Sequence, residues 1–246
     1  MRIAVAGGTG TVGKHVVDSV RAGGDTPVVI ARSAGIDLVT GHGLAEALRD
    51  VSTVIDVSNL TSMSAKKSIA FFEAVTRQLL AAEQRAGVGH HIALSIVGVD
   101  RVGLGYYRGK RRQEDLVLAG PVPATVLRAT QFYEFAEQML QRGGPFVIAP
   151  RMLSQPVAAR EVAEALVELA RSDAAGLAPE LAGPQPLQMA DLVRRLVRAR
   201  GSRRVVIPVS VPGAVGKAMA GGSLLPAGPG PRGEQTFDEW LAGSAG

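Results

Sequence analysis

Tyr106 and Lys110 stand four residues apart in the stretch Gly105–Val117, GYYRGKRRQEDLV. On a helix that spacing puts a phenol and an ammonium on one face, about one turn apart. Such a pair is either a proton-transfer device or the basic surface of an amphipathic helix, and the stretch by itself leaves both readings open. Tyr107, three residues before the lysine, competes for the tyrosine's role. What the rest of the chain brings beside the pair decides between them.

The second chemical signature is the run Gly7-Gly8-Thr9-Gly10-Thr11-Val12-Gly13. It lies between a short apolar stretch, Arg2–Ala6, and a segment with helical periodicity, Thr11–Ala22. Glycines at 7, 10 and 13 suit a tight turn, close approach of backbone to a pyrophosphate, and close packing of helix on strand. Free N–H groups at the helix start, with the helix dipole behind them, favour phosphate oxygens. Strand, glycine turn and helix in that order predict a dinucleotide site built on Gly7, Thr9, Gly10, Thr11, Val12 and Gly13.

The elements that must position these groups alternate. Pro27–Ala31 reads as a strand buried on both faces, Ile36–Thr40 as a short strand, Leu44–Arg49 as a short helix and Thr53–Val57 as a strand. Ala65–Ala86 is a long helix ending at Gly87, His91–Ile96 a strand, Tyr106–Leu118 a helix and Ala124–Arg128 a strand. Strands alternating with helices predict an α/β fold of Rossmann type, a doubly wound parallel sheet covered on both faces. Beyond about Gly143 the pattern changes, with helices at Arg160–Arg171 and Met189–Arg200 and short strands at Glu180-Leu181 and Arg204–Ile207. We read residues 1–246 as one NAD(P)-binding domain in which about 144–246 form a smaller substrate-side lobe. The Gly/Pro-rich stretch Gly221–Gly233 is expected to be a mobile loop, poor in packing contacts, near the substrate pocket.

Cofactor choice turns on the end of the second strand, where NAD-specific sites place a carboxylate for the ribose hydroxyls. Here the chain reads Ile30-Ala31-Arg32-Ser33, with its first acid at Asp37. A guanidinium at Arg32 can bind an adenosine 2′-phosphate that a carboxylate would repel, so NADP(H) is expected over NAD(H). Ser58 and Asn59 follow the strand at Thr53–Val57, at the carboxyl edge where cofactors lie in open α/β sheets.

The Gly-x-x-Gly-x-x-Gly spacing has companions in order along the chain: Asp50–Asp56 (DVSTVID), Leu94–Gly98 (LSIVG), Tyr106-x-x-x-Lys110, and Leu127–Phe132 (LRATQF). Together they resemble the extended and atypical short-chain dehydrogenase/reductase superfamily, and within it the NmrA-like branch. The resemblance covers roughly residues 1–170 more closely than the rest. It implies that Tyr106 exchanges a proton with a carbonyl or alcohol, that Lys110 holds the nicotinamide ribose and lowers the tyrosine's pKa, and that Ser95 orients the substrate oxygen. It also places Thr130 and Gln131 where relatives approach the nicotinamide. The branch includes reductases and cofactor-sensing regulators without catalysis, so both a hydride-transferring oxidoreductase and an NADP(H) sensor are implied.

Composition narrows the alternatives. The 246 residues are 46% apolar and 20% charged, as in an ordinary soluble globular protein, and no apolar run approaches the roughly 20 residues of a membrane span. The opening MRIAVAGGTG is too briefly apolar for a signal peptide, so a cytoplasmic location and no membrane partner are expected. With no cysteine there is no disulfide framework and no thiolate nucleophile. His90 and His91 are adjacent, so on a strand they point to opposite faces and cannot share one metal; no metal is expected. A net charge of +5 comes from scattered clusters without an aromatic platform, which reads as solvated helix faces rather than a nucleic-acid surface. The expected partner is a small-molecule substrate, and the protein a monomer or homodimer.

Overall fold

The computed structural model describes residues 1–141 and 143–243. β1 (Arg2–Ala6) leads through the glycine turn into α1 (Thr11–Ala22) and back to β2 (Thr26–Ile30). The alternation continues through α2 (Leu44–Ala47), β3 (Thr53–Asp56), α3 (Ala65–Ala86), β4 (His90–Ile96), α4 (Gly105–Leu118) and β5 (Ala124–Ala129). There follow α5 (Tyr133–Leu140), β6 (Phe146–Pro150), β7 (Leu153–Ser154), α6 (Ala159–Leu169) and β8 (Gly176–Leu177). The last elements are β9 (Leu187–Gln188), α7 (Met189–Ala199), β10 (Val205–Val209), α8 (Gly213–Ala220) and α9 (Phe237–Gly243).

Six strands form a parallel sheet in the order β2-β1-β3-β4-β5-β8. The winding reverses between β1 and β3, the switch point at which open α/β sheets leave a crevice at the carboxyl ends of their strands. One face is covered by α1 and α6, whose Val12, Val16, Val20, Val162 and Leu166 pack on Ile3, Val5, Ile92 and Leu127. The other lies under α3 and α4, with Val75, Leu79 and Val117 against Ala4, Val54 and Val126. The architecture is the doubly wound one expected from the alternation.

Two expectations in this half are corrected. Ile36–Thr40 is a loop, because the Asp37 carboxylate accepts the N–H groups of Val39 (2.7 Å) and Thr40 (3.1 Å) and closes a local turn. An aspartate that bonds its own neighbours' backbone competes with any sheet ladder, whatever the apolar content around it. With no strand outside it, β2 becomes the sheet edge, so Pro27, Val28 and Val29 are half-buried rather than enclosed. An edge strand also tolerates Pro27, which has no N–H to donate.

The C-terminal part returns to the main sheet through β8 and through a parallel bridge of Leu181 to Ala129, and builds two small sheets, β6 with β10 in parallel and β7 with β9 antiparallel. Its core gathers Val147, Ala149, Leu192, Val193, Leu196, Phe237 and Trp240, and shares Val99, Val102 and Tyr107 with the N-terminal half. Tyr133 anchors the chain end, with its ring centroid 5.3 Å from Phe237 and 5.7 Å from Trp240 and its hydroxyl donating to Gln235 O at 2.8 Å. The Gly/Pro-rich stretch 221–233 is not poor in contacts as expected: Leu224 is fully buried, Arg101 donates to Leu225 O, and Ala227 N–H donates to Glu180. Glycine and proline here give a non-repetitive path that is nevertheless packed.

Candidate active site at the carboxyl edge of the sheet

The glycine turn follows β1 directly. Gly7 takes a left-handed φ of +81°, and its N–H donates to Ile30 O across the sheet. A Cβ on Gly13 would collide with the Gly7 carbonyl and sit 2.7 Å from Gly8 Cα, so only glycine lets α1 start this close to the strand. A Cβ on Gly10 would meet only Gly7 O, at 3.2 Å; that residue, like Thr9 and Thr11, faces solvent. The first turn of α1 has neither a capping side chain nor an acid. Its leading N–H groups and positive dipole end are therefore open to an anion, and the turn fits a dinucleotide's diphosphate.

The remaining residues picked from the sequence line up along the same edge. Arg32 and Ser33 follow β2 in a short 3-10 turn, both exposed, and Arg32 has no ion pair among the described residues. Asp37, whose carboxyl is held below the usual carboxylate range mainly by the Thr40 and Val39 N–H groups, also feels the Arg32 charge. Ser58, two residues past β3, backs directly on the glycine turn: a Cβ on Gly7 would touch its Cα and N at 3.0 Å. Ser58 and Ser95 are both buried, and neither hydroxyl oxygen has a hydrogen-bond partner in the protein. Buried orphan hydroxyls are rare enough to call for a ligand or ordered water. Thr130 lies at the edge too, but its hydroxyl is committed to Gln155 O at 2.6 Å. The neighbouring Gln131 offers the free group instead: its Nε2 donates to the Tyr107 hydroxyl at 3.0 Å while its buried Oε1 lacks a partner.

Helix α4 carries the tyrosine–lysine pair, and close packing sets its position. Cβ atoms at Gly105 and Gly109 would run into α3, the first within 2.8 Å of Ala65 N and the second within 2.7 Å of Ser68 C. Two glycines one turn apart thus let the helices nearly touch, which brings Phe72 under the next residues along. Tyr106 packs edge-on to Phe72 (5.8 Å between centroids) and its hydroxyl donates to Asn59 Oδ1 at 2.7 Å, reaching the end of β3. Lys110 is 3% exposed; its Nζ lies 4.7 Å above the Phe72 ring and donates to Gln113 Oε1 at 2.6 Å. Gln113 donates in turn to Asp56 Oδ2 at 2.7 Å, and Asp56 Oδ1 accepts the Ser58 N–H at 2.8 Å. A continuous polar line therefore runs from the lysine to the loop behind the glycine turn.

The electrostatics differ from the pattern implied by resemblance. Burial pushes the Tyr106 phenol well above its usual range, with Tyr107 adding to the effect. Burial lowers the Lys110 ammonium to about 8, against the opposing pull of Asp56 and Glu114. Of the two cations one turn away on its helix, Glu114 pairs with Arg111 and not with Lys110. It is held by Arg128, whose Nε and Nη2 donate to it at 2.8 and 2.7 Å, with Arg111 3.5 Å away, and Arg128 Nη1 reaches on to Asp100. That clamp ties α4 to β5 and leaves Lys110 to the glutamine. Arg108 and Arg111 are exposed, while Arg112 is half-buried against Glu73 at 2.8 Å. His90 and His91 do face opposite ways, toward Thr125 and Glu83.

Sheet order and glycine turn define a Rossmann-type α/β protein. The chain shares this fold with several solved structures. One is MoeE5 in complex with UDP-glucose and NAD, at 18% identity and TM-score 0.78 over 100% of this chain and 97% of that one. A second is DesIV, a dTDP-glucose 4,6-dehydratase from Streptomyces venezuelae with NAD and TYD bound, at 18% identity and TM-score 0.79 over 100% and 96%. A third is a short-chain dehydrogenase/reductase superfamily protein from Agrobacterium tumefaciens with bound NAD, at 20% identity and TM-score 0.71 over 100% and 96%. No sequence-family model matches the chain, and no curated protein does.

Proposed function

We propose that the protein is an NADP(H)-binding oxidoreductase of the atypical short-chain dehydrogenase/reductase type that acts on a small carbonyl or alcohol. The observation that carries this reading is the uncapped, acid-free start of α1 behind a glycine turn that Gly13 alone can close, with the Tyr106 hydroxyl at the same sheet edge. Bound there, the nicotinamide cofactor would supply or accept the hydride. Gly7 to Gly13 hold the diphosphate, and Arg32 the 2′-phosphate, because no carboxylate replaces it: Asp37 is engaged by its own turn. Ser58, Ser95 and Gln131 present buried polar atoms without partners to the cofactor or substrate. Tyr106 is the proton donor to the substrate oxygen in reduction. Burial keeps the phenol protonated but makes it a weak acid, so the proton transfer would need positive charge brought beside Tyr106 when the cofactor binds. Ser95 would orient that oxygen, and Lys110 would hold the ribose hydroxyls of the bound cofactor.

A second reading, a non-catalytic NADP(H) sensor of the NmrA-like kind, draws on the same groups. The Tyr106 hydroxyl is occupied by Asn59, and Lys110 is directed into the protein rather than to the edge. Binding and turnover separate the two. NADPH is expected to bind more tightly than NADH, with the preference falling about tenfold or more in Arg32→Ala, the loss of a charge-assisted contact. In an oxidoreductase, Tyr106→Phe abolishes turnover of a carbonyl substrate and leaves NADPH affinity nearly unchanged. Turnover that survives Tyr106→Phe overturns the catalytic role. Equal affinity for the two cofactors overturns the role of Arg32.

A further inference from the structure

The two-stranded sheet of β6 and β10 leaves one face uncovered. On its inner face Val147 and Ala149 enter the lobe's core. On the outer face the parallel register sets Phe146 beside Val205, Ile148 beside Ile207, and Pro150 beside Val209. Phe146, Ile148 and Val205 are each more than half exposed, at 57%, 59% and 56%. They are joined by Ile207 and Val209, so five of the chain's exposed large hydrophobic residues fall on this one block. Side chains alternate across a strand, so the grouping is fixed by the pleat and the register rather than by chance exposure.

Residues 192–233 contain eight lysines and arginines and no aspartate or glutamate; residues 138–160 contain three arginines and no acid. Both strands lie in these stretches of sequence without acids, although Arg160, Arg194, Arg195 and Arg200 within those stretches pair with acids from elsewhere. The rest of the chain holds more acids than bases. Arg151 follows β6 and Arg203 precedes β10; both are exposed, and neither has an ion pair among the described residues. An apolar centre with an unpaired cationic rim is the arrangement that interfacial lipid-binding surfaces use.

We propose that this face docks on an anionic lipid surface, with the apolar block at the acyl boundary and Arg151 and Arg203 at the headgroups. No described helix is long and apolar enough to cross a membrane, and the proposed contact is interfacial. It departs from the expectation of no membrane partner, which considered only a spanning segment. A second copy fits the face poorly on two counts. The exposed side chains of two short strands fall short of the roughly 800 Å² of accessible surface that a stable dimer takes from each partner. A copy stacked on this face would also bring arginine rim against arginine rim. The block is flat and mostly aliphatic, without the stacking rings a nucleic acid uses.

Flotation of the full-length protein with vesicles tests the proposal. Binding is expected to phosphatidylcholine vesicles containing phosphatidylglycerol, to be lost on phosphatidylcholine alone, and to weaken with added salt. Ile148→Asp with Ile207→Asp, and separately Arg151→Glu with Arg203→Glu, should each weaken binding about tenfold or more. The uncharged pair Ile148→Ser with Ile207→Ser keeps the test open should the aspartates disturb folding, and circular dichroism checks each variant. Absence of binding to the anionic vesicles overturns the proposal. So does binding that the arginine variant loses but both isoleucine variants retain, since that is adsorption by charge alone. A wild-type dimer in sedimentation velocity that the isoleucine variants dissolve would give the face to a second copy instead.

Discussion

Lys110 is an ammonium with almost no access to water, held over an aromatic ring and against one amide oxygen. Burial brings its pKa from 10.5 to about 8. Between those values the unfolded chain binds more protons than the folded one, so stability rises with pH across that window. Below it the charge costs on the order of 3 kcal/mol. Gln113 and the Phe72 face return only part of that. Lys110→Met should therefore stabilise the protein at pH 7 by about 1–2 kcal/mol and flatten the rise between pH 8 and 10.5. Urea midpoints at pH 7 and pH 10 check both effects. A residue whose removal stabilises the fold is kept for something else, which fits a cofactor contact better than a structural cation. A wild type no less stable than Lys110→Met at pH 7 would argue that the polar line to Asp56 is structural.

At the scale of elements, the glycines of the β1–α1 turn divide the labour of packing and binding. Gly13 faces the turn's own backbone, so Gly13→Ala forces α1 away from β1 and should cost about 1–3 kcal/mol as well as cofactor affinity. Gly10 faces outward, with only Gly7 O nearby. Gly10→Val should leave the melting temperature nearly unchanged while weakening NADPH and NADH alike, since it obstructs the diphosphate common to both. Thermal melts paired with fluorescence titrations separate the two behaviours. If both variants lost stability equally, the turn would be a packing device only. Helix α4 is positioned by similar means: Gly105 and Gly109 admit α3, and the Arg128 clamp on Glu114 fixes it against β5.

Across the whole molecule, the stretch 221–233 is tied within the lobe and, through Arg101, to the N-terminal half. Ser223 N–H donates to Ala218 O, Leu225 N–H to Gly222 O and Gly233 N–H to Ala182 O, while Arg101, from the loop after β4, holds the Leu225 carbonyl. A segment so tied should exchange slowly, contrary to what its composition suggests. Hydrogen exchange should protect the amides of Ser223, Leu225 and Gly233 well above those of the exposed residues Asp173 and Ala174. Rapid exchange at all three would restore the mobile loop. The same scale shows the charge division, with the acid-free segments gathered in the lobe that carries the uncovered sheet face.

The local signals decided much of this protein. The glycine turn between strand and helix, the alternation behind the parallel sheet, and the one-turn spacing of Tyr106 and Lys110 depend on neighbours within a few residues, and a sequence carries such information directly. Arg32 at the end of β2, with no acid before Asp37, is legible for the same reason. Contacts between distant segments were decided only by tertiary structure. Ile36–Thr40 has strand-like residues, but the Asp37 turn prevents pairing and makes β2 an edge. The main partner of Glu114 is Arg128 on strand β5, which bonds it bidentately at 2.8 and 2.7 Å, while Arg111 one helical turn away is held only at 3.5 Å. Gln113 and Phe72, which determine where the lysine points, carry no motif; a pair of glycines at 105 and 109 was the one sign that α3 would come so close. The apolar block on β6 and β10 exists only through its register, since Phe146–Pro150 and Val205–Val209 are ordinary strands until the fold lays them side by side with nothing above them.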